Sequence, residues 1–122
     1  MHYLRWKQPK TIRAWADAGM SYDSTLGYAD RVGFRCGTCF EYPAFDPVEQ
    51  KVLKLHIRPL IVMDCTLIDK EYMGLGFSDY AKIKLLQLKN HCMTLGGNFS
   101  MLWHNSYFMN QESPDFYKSL MN

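Results

Sequence analysis

Between Leu60 and Asn105 short apolar runs flank one long amphipathic segment, and that alternation restricts the fold more than any other feature of the chain. Leu60-Ile61-Val62-Met63 is continuously apolar, starts after Pro59 and stops at Asp64, the pattern of a strand covered on both faces. Ser78 to Leu95 reads as a helix: Ser78 suits the N-cap, Asp79 the first turn, and Gly96-Gly97 the stop. Within it Ala81, Leu85, Leu88, Cys92 and Leu95 form one apolar stripe. Phe99 to Trp103 is a second strand and ends in His104-Asn105. Strand, amphipathic helix, strand is the grammar of an α/β fold with mainly parallel strands.

The flanks are less regular. Lys10 to Ala18 fits a short helix, with Pro9 at its entrance, Ile12, Trp15 and Ala16 on one face, and Gly19 after it. Tyr22 to Thr25 reads as a short strand end, Leu53 to Ile57 as an alternating lead-in or edge segment, and Pro114 to Leu120 as a terminal helix after Ser113. Gly27 to Pro47, rich in Gly, Pro and aromatics, reads as a long irregular loop, and loops of that length tend to be functional.

Composition excludes several classes. With 122 residues, 48% apolar content and a formal charge of +2, the chain is neither disordered nor polybasic. No apolar run approaches the ~20 residues of a membrane helix, and Met1 to Lys7 lack the apolar core of a signal peptide. Nucleic acid is not expected as a partner, because phosphate binding needs focused Lys or Arg. Cys36, Cys39, Cys65 and Cys92 would permit two disulfides, but with no secretory signal the expectation is free thiols in a reducing, cytoplasmic compartment.

The polar residues that terminate the strands are the candidate chemistry. Asp64 and His104 each follow an apolar run directly, Asp23 follows Tyr22, and Arg35 follows Gly33-Phe34. In parallel α/β folds, active sites collect where strands end. If the two apolar strands are neighbours, Asp64 meets His104, and a carboxylate on an imidazole sets its tautomer and suits it to acid–base work near neutral pH. The alternative is a histidine bonded to a backbone carbonyl and an aspartate capping the next turn. His56 and His91 are expected on solvated faces.

Cys36-Gly37-Thr38-Cys39 is a weak redox or zinc signal. No helix-forming stretch follows it, no second close cysteine pair exists, and adjacent His91-Cys92 cannot both point inward from one helix. The aromatics Tyr22, Tyr28, Phe34, Phe40, Tyr42, Phe45, Trp103 and Tyr107 suit either stacking on sugar rings or an ordinary core.

Taken together, Tyr22-Asp23-Ser24-Thr25-Leu26-Gly27-Tyr28-Ala29, Gly33 to Thr38, Pro59 to Leu67 and Leu102-Trp103-His104-Asn105 resemble the polysaccharide deacetylase family, the NodB homology domain of carbohydrate esterase family four. A bacterial branch in which a segment like His2-Tyr3-Leu4-Arg5 precedes these stretches is the most similar. The resemblance implies a distorted (β/α) barrel of the glycoside hydrolase/deacetylase type, and hydrolysis of an N-acetyl or other acyl group from a polysaccharide or amino-sugar substrate. It implies His104 as general acid, Asp64 as its orienting carboxylate and Arg35 as the tether of a catalytic base. Asp23, Tyr28, Tyr42, Trp103 and Asn105 would line the substrate. The sequence departs from the family pattern after Arg35, which Cys36-Gly37-Thr38 follow instead of x-Pro-aromatic, and at Asn105, where the family has Asp.

The family's divalent metal, zinc or similar, and its base belong to two motifs that in family order would precede Met1. His2 belongs to a later segment and substitutes poorly for them. These 122 residues alone are therefore expected to hold no metal tightly and to hydrolyse nothing. A barrel takes ~200 residues or more, so the chain would supply its C-terminal part and expose a sheet edge that invites self-association. The alternative function is a non-catalytic module that binds glycan or a partner through its aromatic loops.

Overall fold

Leu53, Leu55 and Ile57 turn toward one helix, and that helix and its sheet form the first half of the molecule. The computed structural model describes residues 2–121. Helix α1 (Lys10–Asp17) lays Ile12, Trp15 and Ala16 on a three-stranded sheet of β1 (Tyr22–Asp23), β2 (Tyr42–Asp46) and β3 (Lys51–Ile57). The strand order is β1-β3-β2, with β1 parallel and β2 antiparallel to β3. Ile12, Ala44, Leu55 and Ile57 are the buried centre of this half.

Leu53 to Ile57 lies within the central strand, not at an edge, because β1 and β2 occupy both of its sides while Lys54 and His56 keep the outer face polar. The supposed loop from Gly27 to Pro47 contains β2. Pro43 and Asp46 read as turn residues, yet Pro43 is tolerated on an edge strand beside a bulge, between Pro43 and Phe45. Asp46 points inward because Arg13 of α1 meets it with a two-pronged ion pair at 2.5 and 3.1 Å.

The second half is the expected βαβ unit. Strands β4 (Val62–Met63) and β5 (Met101–Leu102) pair in parallel, with Val62 opposite Met101 and Met63 opposite Leu102. Between them come α2 (Asp64–Ile68) and α3 (Asp79–Thr94), and α4 (Ser113–Met121) follows. Ser78 Oγ caps α3 by accepting the Ala81 N–H at 3.2 Å. Ala81, Leu85 and Cys92 of the stripe are buried, Leu88 is half-buried, and Leu95, just past the helix, is exposed. Gly96 takes φ +73°, and the Gly97 N–H reaches back to the Cys92 carbonyl at 2.8 Å, a Schellman ending. Ile61, Val62, Leu67, Leu85, Phe116 and Leu120 form the second core. The architecture is thus mixed α/β with small sheets, and among the described residues two of the three strand pairings are parallel.

Loop contacts join the halves. The Gly33 N–H donates to the Ile61 carbonyl (2.9 Å) and the Leu60 N–H to the Leu26 carbonyl (3.1 Å). Gly27 permits this approach: a Cβ there would lie 2.9 Å from Leu60 Cγ. Position 27 therefore needs glycine for space rather than for an unusual φ.

Candidate functional site

Because β4 and β5 are in register, the residues following them emerge side by side. Asp64 begins α2 immediately after β4, and His104 lies two residues beyond β5. Asp64 Oδ1 is 2.6 Å from His104 Nδ1 and also accepts the Cys65 N–H at 2.7 Å. Asp64 Oδ2 accepts the backbone N–H of His104. The carboxylate is wholly buried, and these three donors replace the water it has lost.

A carboxylate facing Nδ1 makes that nitrogen the N–H donor and leaves Nε2 to act outward. The imidazole is 38% exposed, so its far edge reaches solvent while its near edge is held from inside. Orientation from a buried anion together with an open second nitrogen is the arrangement of a proton donor or acceptor.

Two neighbours of the pair take places that the sequence does not assign to them. The Cys65 thiol lies with Asp64 and His104 in a cluster whose ligand atoms are all within 4.8 Å of one another. Burial first, and then the charges of Asp64 and Asp69, push that thiol up, so it is not poised as a thiolate nucleophile. Tyr107, in the 3₁₀ turn Asn105–Met109, donates its hydroxyl to Asp69 Oδ1 at 2.5 Å and thereby ties the segment after His104 to the end of α2. Burial, ahead of the Asp69 contact, raises the Tyr107 pKa. Their only signals in the sequence are position: Cys65 adjoins Asp64, and Tyr107 comes one turn after His104.

Among the described residues this cluster alone brings three Asp, Glu, His or Cys ligand atoms together. It does not fit a zinc-like ion. Two donors on one ion held at about 2 Å each lie about 3 Å or more apart, whereas Asp64 Oδ1 and His104 Nδ1 face each other at 2.6 Å across a hydrogen bond. The side chain of His2 lies outside the described residues.

The remaining predicted residues are dispersed. Arg35 Nη1 donates to the Gly27 carbonyl at 2.8 Å and has no bond to either member of the pair. Asp23 is buried and spends its carboxylate on Thr25, accepting the N–H at 2.9 Å and the hydroxyl at 2.7 Å. It also lines a cavity of about 420 Å³ with Trp15, Met20, Ser21, Tyr22 and Ser24. Tyr28 carries the Arg31 guanidinium 4.5 Å above its ring. Tyr42 is half-buried, and burial followed by a hydrogen bond to Cys36 raises its pKa. Trp103 turns inward against Phe116 (6.1 Å between centroids) and Tyr117 (5.3 Å). Asn105 is exposed at the start of the turn after His104.

The cysteines of the Cys36–Cys39 motif separate. Cys36 packs against the first core and Cys39 belongs to the second. All four cysteines are free thiols. His56 and His91 are exposed, the former 3.2 Å from Glu41 Oε1.

No helix among the described residues is long and apolar enough to cross a membrane. Comparison with protein-family models, curated proteins and solved structures finds no match to this chain.

Proposed function

We propose that the chain is the acid-bearing, C-terminal part of a polysaccharide deacetylase-like hydrolase, a distorted (β/α) barrel acting on N-acyl groups of an amino-sugar polymer. The observation that supports this reading is the Asp64–His104 hydrogen bond at the ends of two adjacent parallel strands. In the proposed reaction water adds to the acyl carbon, and His104 Nε2 delivers a proton to the sugar nitrogen as the C–N bond breaks. Asp64 holds the imidazole by Nδ1–H and stabilises the imidazolium before transfer. The base that takes the water's proton, and the metal ligands, would come from polypeptide outside these 122 residues, with Arg35 turned from Gly27 to orient that base.

The test is acetate release from acetylated chitooligosaccharide by the protein as the cell makes it, comparing wild type with His104→Ala. Turnover should fall by roughly 10²–10⁴-fold, the usual worth of a positioned acid. Undiminished turnover in the variant sinks the assignment of His104. The 122-residue chain assayed by itself should neither bind zinc stoichiometrically nor release acetate. If it does both, the ligands and base lie within it and the division proposed above is wrong.

A further inference from the structure

Cys39 and Cys92, far apart in sequence, are stapled together by two consecutive amides. The Gly97 N–H donates to the Cys92 carbonyl at 2.8 Å and the Asn98 N–H to the Cys39 carbonyl at 2.9 Å. Both side chains are buried in the second core, 2% and 0% exposed, and the Cys39 thiol is, after burial, the next cause raising the Cys92 thiol. Gly97 makes the space for this: a Cβ there would lie 2.3 Å from Cys39 Sγ. The two are not equivalent in access. Cys39, with Phe34, Thr38, His91 and Leu95, lines an open cavity of about 350 Å³, whereas Cys92 sits behind it and does not line that cavity. Burial pushes the Cys92 thiol up to about 11, which disfavours it as the first nucleophile. Cys36 is engaged elsewhere, 3.7 Å from the Leu26 carbonyl, and Cys65 sits beside Asp64.

From this geometry we infer that Cys39 and Cys92 are a reversible redox pair, which hydrogen peroxide entering the cavity converts to an intrachain disulfide. Cys39 sulfur attacks one peroxide oxygen as the O–O bond breaks, giving a sulfenic acid and one water. Cys92 sulfur then attacks that sulfenic sulfur, the S–O bond breaks, and a second water leaves with the thiol proton. Two thiols and one peroxide thus become one disulfide and two waters. The cross-link closes a loop of about 50 residues and fastens the loop carrying Arg35 to α3.

The experiment treats the reduced 122-residue chain with hydrogen peroxide, quenches with catalase, and traps remaining thiols with N-ethylmaleimide in denaturant. Intact mass should fall by about 2 Da relative to the untreated protein before trapping, and dithiothreitol should restore it. Peptide mapping without reductant should give a single Cys39–Cys92 linked species. Thermal unfolding of the oxidised protein should move up by about 10 °C. Cys36→Ala and Cys65→Ala should still form the link, and Cys92→Ala should stop at sulfenic acid on Cys39. A link through Cys36 or Cys65, or four thiols still alkylated after peroxide, would overturn the inference. The wild-type map decides this even if a core cysteine variant fails to fold.

Discussion

Asp64 bonds His104 twice, through the ring Nδ1 at 2.6 Å and through the backbone N–H, so one buried carboxylate fixes both the side chain and the main chain of a residue forty positions away. The backbone bond holds the segment that leaves β5, and the ring bond sets the imidazole's direction. Orientation of the candidate acid and closure of the local fold therefore rest on the same two oxygens.

This predicts unequal costs for removing the partners. Asp64→Ala leaves the part-buried N–H groups of His104 and Cys65 without an acceptor and should cost about 2–4 kcal/mol of unfolding free energy. His104→Ala keeps both backbone bonds and loses a ring that is 38% exposed, so about 1 kcal/mol or less is expected. Urea denaturation of both variants checks the order. Equal costs would mean that the backbone bond contributes nothing.

Gly97→Ala should destabilise by about 1–3 kcal/mol, because the added methyl meets Cys39 Sγ at 2.3 Å and the Cys39 carbonyl oxygen at 3.3 Å. Removing the sulfur should relieve part of that. The Cys39→Ala, Gly97→Ala double variant is expected to lose less than the sum of the singles, measured as a double-mutant cycle in denaturant.

The acid limb of stability should depend on Asp46. Its hydrogen bond to Arg13 is the main cause holding its carboxyl well below the ordinary carboxylate range, helped by the Val48 and Glu49 amides and opposed by burial. A depressed folded pKa adds stability that is fully present above the unfolded value near pH 4 and is lost as pH falls through the folded value. Asp46→Asn should therefore lower Tm at neutral pH and flatten its decline below about pH 4. A variant whose Tm falls just as steeply with acid as the wild type would place the titrating group elsewhere.

Trp103 packs on Phe116 and Tyr117. Trp103 is half-buried against the second core, so Trp103→Ala is expected to cost about 2–3 kcal/mol, somewhat less than a fully buried aromatic truncation. Thermal or urea unfolding reads this directly. Loss of glycan binding without loss of stability would return Trp103 to the substrate surface.

Local pattern was enough for much of the second half. Capping residues, an apolar stripe and a glycine stop define α3 between Ser78 and Gly97, and both strand-end residues directly follow apolar residues, Leu60 to Met63 and Met101 to Trp103. The same reasoning failed at β2, where Pro43 and Asp46 carry turn propensity but Arg13, 33 residues earlier, gives Asp46 a reason to face inward. Cys65 beside His104, and Tyr107 bonded to Asp69 rather than stacking on a sugar, follow from proximity to Asp64, Asp69 and His104 and not from any periodicity.

The sequence by itself determined that this chain builds a mixed α/β fold with Asp64 and His104 at strand ends, because burial period, caps and glycine stops act within a few residues. Tertiary structure alone decided that β4 lies beside β5, that Trp103 turns into the core, and that Cys36 and Cys39 part to separate cores, bringing Cys39 to Cys92. Apolarity states that a side chain leaves water. It does not state what that side chain meets, and that choice is made by packing between elements distant along the chain.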